Sequence, residues 1–363
     1  MLNTIKNLKF IFNKKHKFVL FSENRNYQKY LIDFISALAL AETEIIYLSS
    51  EKNDKIILPN VTNIHVGVGL KRFFYLNTIK SKFFFMTLTD LGNHEIKKSI
   101  NIDKYIFIFH AANSVHRAYT STAFNNYDII LCPGPKYEIE IKKLEKLNNL
   151  NKKEIIKSGY FYLDKIQKFK NKNVSDSKTI LVAPSWNYSE TNFLVNYSEE
   201  LIKKLIDLNY NVIFRPHPEH FVRNRIFLEM ILNKYEKFTN FIVDKSENNL
   251  ESMLKSKYLI TDYSGIAIEY ILGLNKPVIY FDKYPKIHND NHHNIQEEFI
   301  EDNIKKLFGI SVNDPDMENL EEYLIQSQKK INNNFHLIEN YTKENFYNLN
   351  NSVKYTVDLF INR

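Results

Sequence analysis

Arg215 and His217 alternate with two prolines in Arg215-Pro216-His217-Pro218, directly after the β-branched run Asn211-Val212-Ile213-Phe214. Prolines there end strand pairing and block a helix, so a guanidinium and an imidazole are held at the rim of a sheet. Further along, Thr261-Asp262-Tyr263-Ser264-Gly265 leaves a second strand, about 258–261, and opens a helix that Ser264 is expected to cap. Ligands of open α/β sheets bind outside the carboxyl ends of the strands, where helix N-termini offer N–H groups and a positive dipole end. Together the two blocks read as a diphosphate-handling site. Arg215 would grip phosphate oxygens with paired donors, and His217 would give a hydrogen bond or proton to a leaving oxygen. The bland alternative pairs Arg215 with Glu219 and leaves His217 as a turn residue. The Ser264 hydroxyl and the first helix amides would donate to the phosphates, with Gly265 letting them approach the backbone; an ordinary cap is the alternative. Tyr263 is grouped with this donor-binding set. Glu269, one turn deeper on the same face, would accept both ribose hydroxyls of a nucleotide, against a salt bridge to Lys276.

A second histidine, His110, ends the run Tyr105-Ile106-Phe107-Ile108-Phe109 and is followed by the small residues Ala111-Ala112-Asn113-Ser114. An imidazole that a substrate can approach is a candidate general base. A structural histidine, or a role for His116 instead, is the alternative. Asn113, Ser114 and Arg117 are candidates for an acceptor subsite. Tyr127-Asp128, Gly134 and Gly159-Tyr160 read as sheet and turn positions.

Short apolar runs alternate with helical periods along the whole chain, the pattern of βαβ units and parallel sheets. In the first half strands are expected near 18–21, 44–48, 83–87, 105–109, 128–131 and 154–157, and Gln28 to Leu40 carries Tyr30, Leu31, Phe34, Ile35, Leu38 and Ala39 at helical spacing. The polar stretch Phe169 to Lys178 breaks the rhythm and suggests a domain boundary. Beyond it strands are expected near 179–183, 211–215, 241–243, 258–261 and 277–281, with helices near 197–208, 221–234 and 250–255 and from Gly265. The stretch from about Glu318 to Arg363 reads as a helical tail. The expectation is an α/β protein: a Rossmann-like domain over 1–168, another over 179–317, and a tail over 318–363, with the site in the cleft between domains.

At 363 residues the chain exceeds one ordinary core and suits two. A single cysteine, Cys132, excludes an internal disulfide and a Cys-based zinc cluster, and suits a reducing compartment, with cytoplasm as the default. No run of about 18 uncharged apolar residues is present, so no membrane span is expected. With a net charge of +7 and a pI near 9.0, anionic partners are favoured. The basic residues form no stripe and no nucleic-acid-binding motif is visible, which argues against nucleic acid. The basic N-terminal stretch Met1 to Phe21 reads as a solvated lead-in to the first strand, or as a contact with an anionic membrane surface. His288-Asn289-Asp290-Asn291-His292-His293 matches no zinc spacing and suits a mobile loop, so no metal is expected. A glycine-rich phosphate loop and a G-x-S-x-G elbow are absent, which disfavours ATPases, dinucleotide oxidoreductases and α/β-hydrolases.

Five blocks taken in order resemble the CDP-glycerol glycerophosphotransferases, which include teichoic acid primases and polymerases. They are Phe109-His110-Ala111, Ala183-Pro184-Ser185-Trp186, Arg215-Pro216-His217-Pro218, Leu259-Ile260-Thr261-Asp262-Tyr263-Ser264-Gly265 and Asn275-Lys276-Pro277-Val278-Ile279-Tyr280-Phe281-Asp282, spanning roughly residues 105–285. The resemblance implies a GT-B fold, a CDP-linked polyol donor, a peripheral membrane habit on the inner face of the cell membrane, and two working histidines at His110 and His217. Three positions depart from the family's pattern. Its Trp-His-Gly is here Phe109-His110-Ala111, its second serine is Gly265, and its helix aspartate is Glu269.

The expected activity is transfer of glycerol phosphate, or a related polyol phosphate, from a CDP-linked donor to a hydroxyl of a cell-surface glycan or lipid-linked carrier, with release of CMP and no cofactor. Two rivals share the scaffold. One is a sugar transferase or epimerase using a CMP- or UDP-linked sugar; the other is a non-catalytic protein that binds glycan or lipid.

Overall fold

The structure is a computed structural model that describes residues 13–89, 91–92, 96–170, 178–187, 189 and 191–363. The chain divides into two compact units, one of residues 1–165, 288–297 and 345–363, the other of 166–287 and 298–344.

The first unit is built on seven parallel strands: β1 (Lys15–Ser22), β2 (Ile45–Ser49), β3 (Val61–His65), β4 (Lys80–Met86), β5 (Ile102–Ile108), β6 (Ile129–Leu131) and β7 (Glu154–Ile156). Their spatial order is β3-β2-β1-β4-β5-β6-β7. Phe18, Val19, Leu20 and Phe21 are all buried, as a parallel strand covered on both faces requires. The helix Gln28–Leu40 lies where its spacing predicts, burying Leu31, Phe34, Ile35, Leu38 and Ala39, with Tyr30 only half-buried. They meet Phe83, Phe85, Ile106 and Ile129 in the core. The strand β3 and the helix Gly69–Thr78 behind it are absent from the sequence-based expectation: Val-Thr-Asn-Ile-His lies at the sheet's edge and buries no residue fully.

The second unit repeats the plan with six parallel strands: β8 (Thr179–Ala183), β9 (Asn211–Phe214), β10 (Phe241–Val243), β11 (Tyr258–Thr261), β12 (Val278–Tyr280) and β13 (Ile310–Ser311). Their order is β10-β9-β8-β11-β12-β13. Strand order reverses between β1 and β4 in one sheet and between β8 and β11 in the other, and at such switch points an open sheet leaves a crevice at its carboxyl edge. The helix expected near 221–234 is broken in two, His220–Arg223 and Arg225–Tyr235. Asn224 leaves the helical region at φ −115° and ψ 30°, and its Oδ1 meets His220 Nδ1 at 2.8 Å.

The stretch 318–363 is helical but shared out. The helices Leu320–Asn333 and Phe335–Asn345 fall almost wholly in the second unit, whereas Ser352–Ile361 places Val357 and Phe360 in the first unit's core. Residues 171–177, the middle of the expected boundary, lie outside the described residues, as do residues 1–12 of the basic N-terminal stretch. The lysines of that stretch that are described belong to, or lead into, β1. Lys14 pairs with Glu44 at 2.5 Å, Lys15 with Asp103 at 2.6 Å, and Lys17 donates to the Ile361 carbonyl at 2.7 Å. Among the described residues no helix is long and apolar enough to cross a membrane.

Candidate functional site

In the first unit, β5 ends at Ile108 and delivers His110 beside the end of β4. His110 Nδ1 lies 3.0 Å from the carbonyl oxygen of Thr87. A carbonyl only accepts, so Nδ1 carries the proton and Nε2 keeps its lone pair, the form a general base needs. The half-buried ring is walled by Tyr27, Tyr30 and Tyr119, with centroids 5.2, 6.2 and 6.2 Å away. Desolvation among these rings pushes the imidazole pKa down from 6.5 to about 4; the Thr87 carbonyl opposes the shift and nearby Lys29 adds to it. His110 is therefore neutral at pH 7. Its folded-state value lies below that of the unfolded chain, so the unfolded chain binds the extra proton. The stability this gives is complete above the unfolded value of 6.5 and is lost as pH falls toward 4. Melting temperature followed from pH 7 to pH 4 should fall less in His110→Gln than in the wild type, and equal slopes would refute the assignment.

The neighbours proposed for an acceptor are placed differently. Ser114 and Arg117 are buried at 0% and 4% exposure around the short helix Val115–Ala118, so they form packing rather than a surface for an acceptor. Asn113 is half-buried. His116 is a structural residue, its Nδ1 3.1 Å from Glu140 and its Nε2 3.3 Å from the Glu297 carbonyl. The segment expected as a mobile loop is anchored in the same place. The His288 amide donates to the Arg117 carbonyl at 3.0 Å, and buried Asn289 donates through Nδ2 to the His116 carbonyl at 3.0 Å. Among the described residues no three His, Cys, Asp or Glu side chains gather to hold a metal ion.

In the second unit the switch point between β8 and β11 is bolted by Asp262. Its carboxylate accepts from the Ser185 amide at 2.8 Å and from the Ser185 hydroxyl at 2.8 Å, and both residues are buried. Burial pushes the Asp262 carboxyl up, against the Ser185 bonds and nearby Lys286. His220 extends the bolt, with Nε2 3.0 Å from the Ser185 carbonyl. Asp262→Ala would strand a buried amide and hydroxyl, so thermal or urea unfolding should show a loss of about 1–3 kcal/mol.

This bolt fixes Trp186 and, through it, His217. The Trp186 and His217 rings stack at 6.5 Å and 28°, and the Arg223 guanidinium lies 4.9 Å from the indole. Arg223 pairs with Glu219 at 2.9 Å, while the Glu219 amide donates to His217 Nδ1 at 3.2 Å. With Nδ1 accepting, Nε2 of the neutral ring carries the proton and is a donor. The two histidines are thus held in opposite tautomers.

Arg215 is not paired with Glu219. Its Nη1 bonds Asp244 at 2.5 Å and the Ser246 hydroxyl at 3.2 Å, and its Nη2 donates to the Ser246 carbonyl at 2.8 Å. Burial would raise the Asp244 carboxyl, but Ser246, Ser252 and Arg215 outweigh it and hold the group below its ordinary value. Ser264 occupies the N-cap position of the helix Gly265–Leu274 at φ −95° and ψ 137°, but its hydroxyl makes no capping bond to the helix amides. The expected cap is therefore one of backbone position only. Tyr263 donates through its hydroxyl to the Asp282 carbonyl at 3.0 Å, with Lys305 4.7 Å above its ring, and so pins its own loop. Glu269 is buried at 3% exposure, with Asn249 Nδ2 3.4 Å away. Lys276 sends its ammonium to the carbonyls of Met253, Leu254 and Ser256 instead, at 2.8, 2.9 and 2.6 Å.

Thr87, Asp244 and the Tyr27–Tyr30–Tyr119 wall escaped the sequence reading. Thr87 acts through its backbone, which no residue type announces. The tyrosines come from two separate segments.

The family model described as CDP-glycerol:poly(glycerophosphate) glycerophosphotransferase matches residues 7–301. Among solved structures, the wall teichoic acid polymerase TagF is 17% identical over 99% of this chain and 96% of its own, with a TM-score of 0.62. A histidine-to-asparagine variant of TagF soaked with CDPG gives 18%, 99%, 96% and 0.60 for the same four measures. The UDP-GlcNAc 2-epimerase of Methanocaldococcus jannaschii, in complex with UDP-GlcNAc and UDP, is 14% identical over 96% of this chain and 100% of its own, at 0.57. At these identities the structures speak for the fold, the GT-B class of two Rossmann-like domains. No curated protein sequence matches the chain.

Proposed function

The chain belongs to the CDP-glycerol:poly(glycerophosphate) glycerophosphotransferase family, and from that premise we propose that it moves glycerol phosphate, or a related polyol phosphate, from a CDP-linked donor to a hydroxyl of a cell-surface glycan or lipid-linked acceptor. His110 Nε2 takes the proton as the acceptor oxygen attacks the β-phosphorus. The new oxygen–phosphorus bond forms as the bond to the bridging oxygen breaks, and CMP leaves with the electron pair. His217 Nε2–H donates to the phosphate oxygens on which charge gathers, as do the Ser264 hydroxyl and the first amides of the helix Gly265–Leu274. Arg215 keeps the loop at Asp244 and Ser246 in place and adds positive charge. Glu269 is assigned the ribose hydroxyls, on the strength of its place one turn beyond Gly265. Asn113 is retained for the acceptor. No metal or cofactor has a part, and the reaction is assigned to the cytoplasmic side of the membrane.

The observation that carries this reading is the His110–Thr87 bond, which leaves a neutral imidazole with Nε2 as its basic atom. The test is a thermal-shift comparison of CDP-glycerol, CDP-ribitol, CMP-sugars and UDP-sugars, followed by CMP release with a panel of acceptors. A donor at a hundred times its Kd should stabilise the fold by about 2.7 kcal/mol. Stabilisation by UDP- or CMP-sugars alone would replace the reading with sugar transfer or epimerisation. Binding of CDP-glycerol with no CMP release would make the chain a binding protein.

A further inference from the structure

Tyr27 and Tyr30, two of the three rings around His110, stand on the turn that leaves β1 and opens the helix Gln28–Leu40. Tyr27 is the nearer, edge-on to the imidazole at 5.2 Å and 85°. The loop after β2 grips this turn and the end of β1. The Ser50 amide donates to the Ser22 carbonyl at 3.2 Å, and the Glu51 carboxylate accepts from the Arg25 amide at 3.0 Å. Gln28 Nε2 donates to Asp54 Oδ1 at 3.0 Å and to the Lys55 carbonyl at 3.1 Å. Asp54 is the anchor of the loop. It is 3% exposed and accepts from the Tyr47 hydroxyl at 2.9 Å and the Ser49 hydroxyl at 2.7 Å, both from β2. Burial pushes its carboxyl up, against the bonds from Ser49 and Tyr47. A buried polar network whose members have partners rigidifies the elements it joins, here β2 and the first turn of the helix.

We infer that Asp54 is a positioning residue for His110: through Gln28 it fixes the turn that sets the Tyr27 ring edge-on against the imidazole. Gln28 directly follows Tyr27, so loss of the bond at Gln28 frees the ring beside it. That ring shares in the desolvation of the imidazole. Lys29, whose charge the imidazole also feels, rides on the same turn with its ammonium 4.9 Å from the Tyr30 ring. Releasing the turn withdraws both the ring and the cation, and each of them disfavours the protonated imidazole. The Thr87 carbonyl thus fixes the tautomer of His110, while Asp54, from the far side of β1, fixes the surroundings of the ring. The consequence for turnover rests on the reading of His110 as the general base; the geometry does not.

Imidazole NMR titration of the full chain, with the His110 signals assigned by their loss in His110→Gln, tests this without any turnover. The wild-type ring should stay neutral down to about pH 4. In Gln28→Ala and in Asp54→Ala its midpoint should rise by about one pH unit or more, toward the value of an unperturbed imidazole. Gln28 is half-buried and carries the link, so Gln28→Ala decides the test where Asp54→Ala costs the fold. Tyr27→Ala should reproduce the rise, and adding Gln28→Ala to it should move the midpoint no further, as links in one chain require. Glu145→Ala removes another buried carboxylate of the first unit, one that accepts from the Lys153 amide at 2.8 Å, and should leave the His110 midpoint in place. In Gln28→Ala, kcat for CMP release should fall about tenfold, the scale of a small misplacement, and an acid limb should enter kcat/KM. A wild-type His110 titration in Gln28→Ala and Asp54→Ala, or an equal rise in Glu145→Ala, would overturn the inference. Slower CMP release with an unmoved titration would overturn it too and leave the general-base reading intact. A moved titration with unchanged CMP release would uphold the positioning and remove the general-base reading instead.

Discussion

His110→Ala is expected to lower kcat for CMP release by at least about a hundredfold at saturating donor, the usual contribution of a well-placed general base. The fold should survive, because the ring is only half-buried and, among the described residues, its hydrogen bond is to the Thr87 backbone. His217→Ala should cost a similar factor, for removal of one donor to a charged transition state. That ring is exposed beside Trp186, so folding is again unaffected. The variants differ in pH response. His110 stays unprotonated down to about pH 4, so it sets no acid limb near 6.5 in the wild-type profile of kcat/KM. An acid limb near 6.5 that disappears in His110→Ala would contradict the tautomer and burial described for this residue. Wild-type turnover in either variant would remove that histidine from the mechanism.

The buried parallel strands were legible because burial on both faces leaves a simple trace, a run such as Phe18 to Phe21 or Ile180 to Ala183. Gln28–Leu40 was legible through its spacing. Edge elements were not. Val61–His65 pairs on one side only, with β2, and carries Thr62, Asn63 and His65, while β13 has two residues, too few for any pattern. The division of the chain was harder still. Residues 288–297 and 345–363 rejoin the first unit through contacts that follow no local rule, such as the Asn289 bond to the His116 carbonyl.

At the candidate site, sequence located the loops but not the partners of their side chains. The proline-flanked block does end at the carboxyl edge of β9, and the Asp262 block at that of β11. Ser114 and Arg117, named for an acceptor, are buried, and the hydroxyl of Tyr263, named for the donor, is spent on the Asp282 carbonyl. Asp262 stands inside a block read for its serine and glycine, and only the fold brings Ser185, distant in sequence, to its carboxylate.

Gly134→Ala should destabilise the first unit by about 3 kcal/mol or more, the upper range for forcing an atom into a filled space. Gly134 precedes the helix Pro135–Leu147 in extended backbone, so no positive φ is at stake. The reason is space: a Cβ there would lie 1.8 Å from the Asn345 carbonyl oxygen and 2.8 Å from its carbon. Backbone yields only if its segment moves, and this segment is held along its length. The Tyr347 amide donates to the Pro133 carbonyl at 2.8 Å, and buried Asp164 accepts from the Asn350 and Ser352 amides at 2.8 and 2.9 Å. Gly159 closes the other side, its Cβ position 2.2 Å from the Tyr347 carbonyl oxygen. Both substitutions should therefore lift the same stretch, residues 345–352, and loosen the Ser352–Ile361 helix from the core it shares with Gln28–Leu40. The expected readouts are a fall of roughly 6–12 °C in the unfolding transition and new protease cleavage before Ser352. A wild-type melting curve with an intact C-terminal segment would show that the segment can move without cost, and that the glycines are not required by it.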